Sequence, residues 1–169
     1  FQEGFDQIEW VVNEIKTNPF SSRLIVTGWN PNDMIKVCSS INRPLAVLPA
    51  CHTLFQFFVE DGKLSCQLYQ RSADISIAGN INTACYALLT HMVAQQCDLA
   101  VGELLMSYGD IHAYEDQLDD IREMVKRETH PFPQIKLNKA KDLYSYEWSD
   151  IEIIDYKHSG KMENLRVSV

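Results

Sequence analysis

A cysteine at position 51 is the residue of this chain whose setting most suggests covalent chemistry. Cys51 stands between a stretch rich in Pro and Asn and a run of aromatic and β-branched residues, and His52 follows it. A thiolate is a strong nucleophile, and cationic neighbours favour that form. On residues 48–52 alone, a half-buried core cysteine followed by a surface histidine is the commoner arrangement, so other motifs must decide.

Three further polar groups have residue types that suit a nucleotide. Arg71 and Ser72 follow a strand-like run and can hold a phosphate by charge-assisted hydrogen bonds. The amide of Asn82 carries both a donor and an acceptor, which matches the O4 and N3–H edge of uracil. His112 and Tyr114 face the same way in an extended chain and suit a sugar hydroxyl. Each has a plainer alternative: a solvated strand end, a helix cap and a turn with two partly buried rings.

Hydrophobic spacing predicts a scaffold of mixed strands and helices that positions these side chains. The Asp61-Gly62 pair between two apolar runs predicts a hairpin, and Asn82 is expected to cap a helix. The predicted elements are a helix ending at Asn18-Pro19, strands over 23–29, 52–59 and 63–70, helices over 82–96 and 113–127, and short strands near 135–137 and 151–156, with 30–49 as a long loop. Because strands and helices do not strictly alternate, we predict an α+β fold.

The composition indicates one globular domain, residues 1–169, with no membrane-spanning run. A net charge of −8 disfavours nucleic acid as a partner. The odd number of cysteines, five, without a CxxC pair fits neither a disulfide framework nor a zinc site, so we expect no metal and a reducing, cytoplasmic location. Cys66 and Cys85 are expected to act as small buried apolar groups.

Four motifs together resemble the thymidylate synthase family in order and spacing. They are CHTLFQFFV at 51–59, LSCQLYQRSAD at 64–74, Asn82 followed by YALL at 86–89, and GDIHAY at 109–114. Residues 23–30 and 131–133 agree with the same pattern, so the likeness covers essentially the whole chain. The plainer alternatives lose most of their weight, since four motifs in register are highly specific.

The resemblance implies a mixed sheet layered with helices, with one sheet face used for homodimer packing. It implies that Cys51 adds to C6 of dUMP, with Arg71 near the thiolate. C5 then takes a one-carbon unit from the co-substrate 5,10-methylenetetrahydrofolate, giving dTMP and dihydrofolate without a metal. The implied ligand contacts are Arg23, Gln70, Arg71, Ser72, Asn82, His112 and Tyr114 on dUMP, Arg23 reaching the partner's site, and Asp74 and Val169 on the folate.

Departures from the family pattern keep two alternatives open. Ser22 replaces an Arg, Ala50 replaces a Pro, residues 78–82 lack the usual Pro and Phe, and the 30–49 loop is longer than usual. The family's N-terminal third, with its catalytic Glu, has no counterpart in this sequence, which begins without Met, so we expect a fragment or a processed product. One alternative is a phage-type hydroxymethylase giving 5-hydroxymethyl-dUMP and tetrahydrofolate. The other is a non-catalytic fragment or partner subunit that binds nucleotide.

Overall fold

The computed structural model describes residues 4–31 and 49–162 and contains helices and strands in mixed order. The helices are α1 (Gln7–Thr17), α2 (Ala78–Gln96) and α3 (Leu118–Met124). The strands are β1 (Ile25–Thr27), β2 (His52–Glu60), β3 (Lys63–Asp74), β4 (Ala100–His112), β5 (Gln134–Leu137) and β6 (Ile151–Ile154). Short 3₁₀ turns span Glu115–Gln117, Leu143–Ser145 and Trp148–Asp150. The predicted α+β class is confirmed.

A sheet in the order β1-β2-β3-β4 organises the chain. The predicted hairpin is confirmed: β2 and β3 pair antiparallel through a turn in which Asp61 and Gly62 have φ of 50° and 70°. Helix α2 then crosses over, and β4 runs parallel to β3. As a result, the start of β2 and the ends of β3 and β4 meet at one edge of the sheet, called here the site edge, marked by Cys51, Asp74 and His112.

The core lies between one face of this sheet and helices α1 and α2. Its main members are Val11, Val12, Ile15, Leu24, Phe55, Phe57, Leu64, Leu68, Tyr86 and Val93. Helix α1 begins because Asp6 Oδ1 accepts hydrogen bonds from Ile8 N at 2.9 Å and Glu9 N at 3.0 Å. Val11, Val12 and Ile15 of this helix are buried, which confirms its predicted apolar face.

The opposite sheet face carries exposed apolar side chains. Leu54 and Phe58 alternate with buried residues of β2, and Phe58 is 58% exposed. Tyr69 pairs with Leu54 across the hairpin, and Leu105 pairs with the exposed Gln67. Alternation thus gives the sheet one face in the core and one apolar face that no other described element covers.

Two elements differ from the prediction. Strand β4 has no predicted counterpart, because Gly102 and Gly109 usually weaken strands and the intervening residues favour helices. Gly109 is needed where β4 approaches β3, since a Cβ there would lie 2.9 Å from Arg71 O. The helix predicted over 113–127 is shorter, a 3₁₀ turn followed by α3, whose seven residues leave no side chain buried.

Asn82 does not cap helix α2, so the predicted cap is also wrong. The helix begins four residues earlier, at Ala78, with Ile77 at the capping position. The start is displaced because Asp74 Oδ1 accepts from Ser76 N at 2.8 Å and closes the β3–α2 connection early. The predicted loop over 30–49 lies largely outside the described residues.

Candidate active site

Arg71 fixes the segment that carries Cys51. Its Nε donates to Ala50 O at 3.0 Å and its Nη2 to Pro49 O at 2.8 Å, while Nη2 also lies 3.5 Å from Cys51 Sγ. The backbone N–H of Arg71 donates to Cys51 O at 2.9 Å. The guanidinium carbon stands 5.8 Å from the centre of the Trp29 ring. Cys51 is half-buried, and the Arg71 guanidinium places a permanent positive charge beside its sulfur.

The other described cysteines have different surroundings. Burial raises the pKa of Cys66 to about 11 and that of Cys97 to about 11. The expectation that Cys66 is a buried apolar group is confirmed, whereas the same expectation for Cys85 is wrong, because Cys85 is exposed on helix α2. Cys38 lies outside the described residues. A thiol whose pKa is raised by burial is a poor nucleophile at neutral pH, which argues against Cys66 and Cys97 as the nucleophile.

Polar side chains from the ends of β3 and β4 stand close to one another. Ser72 pairs with Asp110 in the parallel ladder, and Asp74 pairs with His112. His112 Nδ1 lies 2.9 Å from Asp110 Oδ2, and its ring meets the Tyr114 ring edge-on at 5.3 Å. The structure thus brings His112 and Tyr114 together as expected. Sequence reasoning missed Asp110, although a spacing of two along a strand was a usable signal.

Helix α2 turns Asn82 toward the Cys51 end of the sheet. Tyr86, one turn further along the helix, places its Oη 3.3 Å from Nδ1 of His52, the residue next to Cys51. Residues four apart share a helix face, so Asn82 is directed to the same side. Burial raises the pKa of Tyr86 to about 12.

Gln70 and Arg23 stand in opposite environments. Gln70 is only 1% exposed, and its Nε2 donates to Ser72 O at 2.9 Å. Its Oε1 is a buried acceptor without a partner in the described part of the chain. Arg23 is exposed and, because Ile25 pairs with Gln56, lies beside the far end of β2. At about 3.3 Å per residue it is roughly 20 Å from Cys51, so it does not meet Cys51 within one chain.

Val169, which the resemblance places on the folate, lies outside the described residues. Among residues 4–31 and 49–162, no three His, Cys, Asp or Glu side chains group as a metal site. In that same part of the chain, no helix has both the length and the apolar character needed to cross a membrane.

Comparison with known proteins identifies the family. The family model for thymidylate synthase matches residues 1–169. The thymidylate synthase of Mycoplasma pneumoniae is 43% identical over 155 residues, covering 92% of this chain and 51% of that protein. The thymidylate synthase of Francisella philomiragia is 44% identical over 161 residues, covering 92% of this chain and 59% of that protein. The chain thus spans only about half the length of the curated relatives it matches, and on the match over its whole length it belongs to the thymidylate synthase family.

Proposed function

We propose that the protein containing this chain is a thymidylate synthase, which transfers a one-carbon unit from 5,10-methylenetetrahydrofolate to C5 of dUMP. The contact of Arg71 with the Cys51 segment is the observation that carries this proposal. This contact holds the Cys51 thiol at the site edge, beside the Arg71 guanidinium. The ends of β3 and β4, which are rich in hydrogen-bonding groups, lie close by. The names of the relatives point to the same activity.

Cys51 acts as the covalent catalyst in this proposal. Its thiolate forms a bond to C6 of the uracil, and the C5–C6 π electrons move toward C5 and O4, making C5 nucleophilic. The bond from the methylene carbon of the folate to N10 opens, leaving an N5 iminium ion, and C5 attacks that carbon. C5 then loses its proton to a base, and the bond between the methylene carbon and N5 breaks, which releases tetrahydrofolate and leaves an exocyclic methylene on C5. Hydride transfer from tetrahydrofolate to this methylene expels Cys51 as thiolate, restores the ring double bond and gives dTMP and dihydrofolate.

The neighbouring side chains hold the nucleotide. Arg71 has donors beyond those given to Pro49 and Ala50, and with Ser72 it meets the phosphate. Asn82 reads the uracil edge, while His112 and Tyr114 meet the deoxyribose hydroxyl. Gln70, being buried, supports this edge through Ser72 and offers Oε1 as an acceptor. Asp74 contacts the heterocycle of the folate, and Val169 also contacts the folate.

We also propose that the active protein is a homodimer. The exposed apolar side chains of the sheet, among them Leu54, Phe58 and Leu105, suit a face that packs against a second copy. Arg23 lies too far from Cys51 to serve its own site, which fits a role on the phosphate of the partner's site.

We propose a cytoplasmic location for this protein. The chemistry requires Cys51 as a free thiol, and the reducing cytoplasm maintains that state.

Product analysis tests the activity. The full-length protein is incubated with dUMP and 5,10-methylenetetrahydrofolate, and the nucleotide and folate products are identified by mass. Formation of dTMP with dihydrofolate supports the proposal. Formation of 5-hydroxymethyl-dUMP with tetrahydrofolate overturns it in favour of the hydroxymethylase alternative. Binding of dUMP without any product overturns it in favour of a non-catalytic protein.

A further inference from the structure

A buried polar cluster supports Asp74 from the side of the protein interior. Asp74 Oδ1 accepts from Ser76 N at 2.8 Å and also from the Ser76 hydroxyl. Ser76 Oγ lies 2.5 Å from Oε1 of Gln117, forty-one positions further along the chain. Ser76 is 3% exposed and Gln117 is 1% exposed, whereas Asp74 is half-buried at the site edge. The three side chains form a row that leads from the protein interior to the site.

One arrangement of the hydrogen atoms gives each bond of this row a donor while Asp74 stays ionised. A serine hydroxyl has one proton, and Asp74 and Gln117 both present an oxygen to it. Carboxamide oxygen and nitrogen have nearly the same shape, so the amide of Gln117 can be turned over in the same space. Gln117 Nε2 then donates to Ser76 Oγ, and the Ser76 hydroxyl donates to Asp74. Polarisation along such a chain strengthens each bond.

The row is also tied to the end of β4. Ile75 N donates to His112 O at 3.0 Å, so the connection after Asp74 is bonded to the last residue of β4. The 3₁₀ turn Glu115–Gln117 begins three residues after that strand end and is closed by the bond from Gln117 N to Tyr114 O at 3.0 Å. These backbone bonds, together with the two bonds to Oδ1, restrict rotation of the Asp74 carboxylate.

We propose that Ser76 and Gln117 are positioning residues that hold the Asp74 carboxylate ready for the folate. The inference rests on the proposed function, in which Asp74 contacts the folate heterocycle. Oδ1 carries the internal bonds, so the N–H donors of the heterocycle meet Oδ2. Holding the carboxylate in place before binding removes part of the entropy cost of association. Loss of Ser76 therefore weakens folate binding and leaves nucleotide binding unchanged.

A double-mutant cycle in the full-length protein tests this role. Ser76→Ala is expected to raise the KM for 5,10-methylenetetrahydrofolate about 10-fold, while the KM for dUMP changes less than about 2-fold. Asp74→Ala raises the same folate KM. Because Ser76 acts through Asp74, adding Ser76→Ala to Asp74→Ala has little further effect. Gln117→Leu shifts the folate KM in the same direction by a smaller factor and decides the matter if Ser76→Ala fails to fold.

The matched control is Ser145→Ala. The Ser145 hydroxyl also donates to an aspartate carboxylate, Asp142 Oδ1 at 2.6 Å, but in the exposed turn Leu143–Ser145, away from the site edge. This variant is expected to leave both KM values unchanged. Additive effects of Ser76→Ala and Asp74→Ala, or a lower melting temperature without a change in folate KM, would overturn the inference.

Direct binding separates this inference from the proposed function. Tetrahydrofolate, which lacks the transferable carbon, is titrated by calorimetry into protein saturated with dUMP. Binding to the wild type that weakens about 10-fold in Ser76→Ala supports the inference. Equal binding to the two proteins overturns the inference alone. An absence of binding to the wild type overturns the proposed function and the inference with it.

Discussion

The site edge has two corners, and they are built differently. The first corner consists of Cys51 and Arg71, and there Arg71 contacts the Cys51 segment directly across neighbouring antiparallel strands. The second corner consists of Asp74, Ser76 and Gln117, and there Gln117, which follows the parallel strand β4, supports Asp74 through Ser76. The first corner presents a reactive group, and the second presents a fixed acceptor. We therefore expect changes at the first corner to reduce turnover and changes at the second to reduce ligand affinity.

The largest effect is expected from Cys51→Ala, which removes the nucleophile. Turnover should fall by at least about 10³-fold while dUMP still binds, because the phosphate, sugar and base contacts remain. Product formation and equilibrium dUMP binding measure the two parts. Cys85→Ala, at an exposed cysteine on α2, is the matched control and should keep full turnover. Turnover retained in Cys51→Ala would remove the first corner from the mechanism.

A smaller effect is expected from Arg71→Lys, which keeps the charge and removes the planar donor pair. A lysine ammonium lacks the planar Nε–H and Nη2–H pair that matches the Ala50 and Pro49 carbonyls, so the Cys51 segment is held less firmly. We expect kcat/KM to fall about 30-fold, with kcat affected more than the dUMP dissociation constant. Arg122→Lys, at an exposed pair with Asp119, should behave as wild type. A change confined to dUMP affinity would show that Arg71 serves the phosphate alone.

Asp110→Asn tests whether residues at the end of β4 affect ligand affinity and leave turnover unchanged. The change weakens the bond to His112 Nδ1, so the ring is oriented less firmly toward the sugar. The KM for dUMP is expected to rise about 5-fold with kcat nearly unchanged. Asp119→Asn, on the exposed surface of α3, is the control. If kcat falls as much as it does in Arg71→Lys, the proposed division between turnover and affinity is wrong.

The smallest effect concerns a cysteine that does no chemistry. Burial raises the pKa of Cys66 from the ordinary 9.0 to about 11, so the folded state holds the thiol proton more tightly than the unfolded state. The stability from this group is complete below pH 9.0 and is lost as pH rises through about 11. Chemical denaturation across this range should show a shallower decline for Cys66→Ala than for wild type. Identical slopes would mean that the thiol does not titrate differently on folding.

Much of the first corner could be predicted from the sequence because hairpin pairing is local. The Asp61-Gly62 turn sets the register of β2 and β3 as far as Leu54. A β-bulge between His52 and Leu54 then shifts the pairing by one residue, and this shift, which the sequence did not reveal, brings Arg71 opposite Cys51. The second corner could not be predicted, because it depends on β4 lying parallel to β3 after a helical crossover. No tight turn sets the register between β3 and β4, because a helix separates them in the chain. The glycines of β4 also lowered its strand propensity, so the strand was not recognised.

The sequence by itself determined the types of reactive group, the amphipathic helix α1, the hairpin and the family. Those features depend on residue chemistry and on periodicities over a few positions. Only the tertiary structure decided the parallel pairing of β4, the early start of α2, the exposure of Cys85 and the row from Gln117 to Asp74. These features depend on contacts between distant segments, whose free energies come from packing and burial that no local pattern encodes.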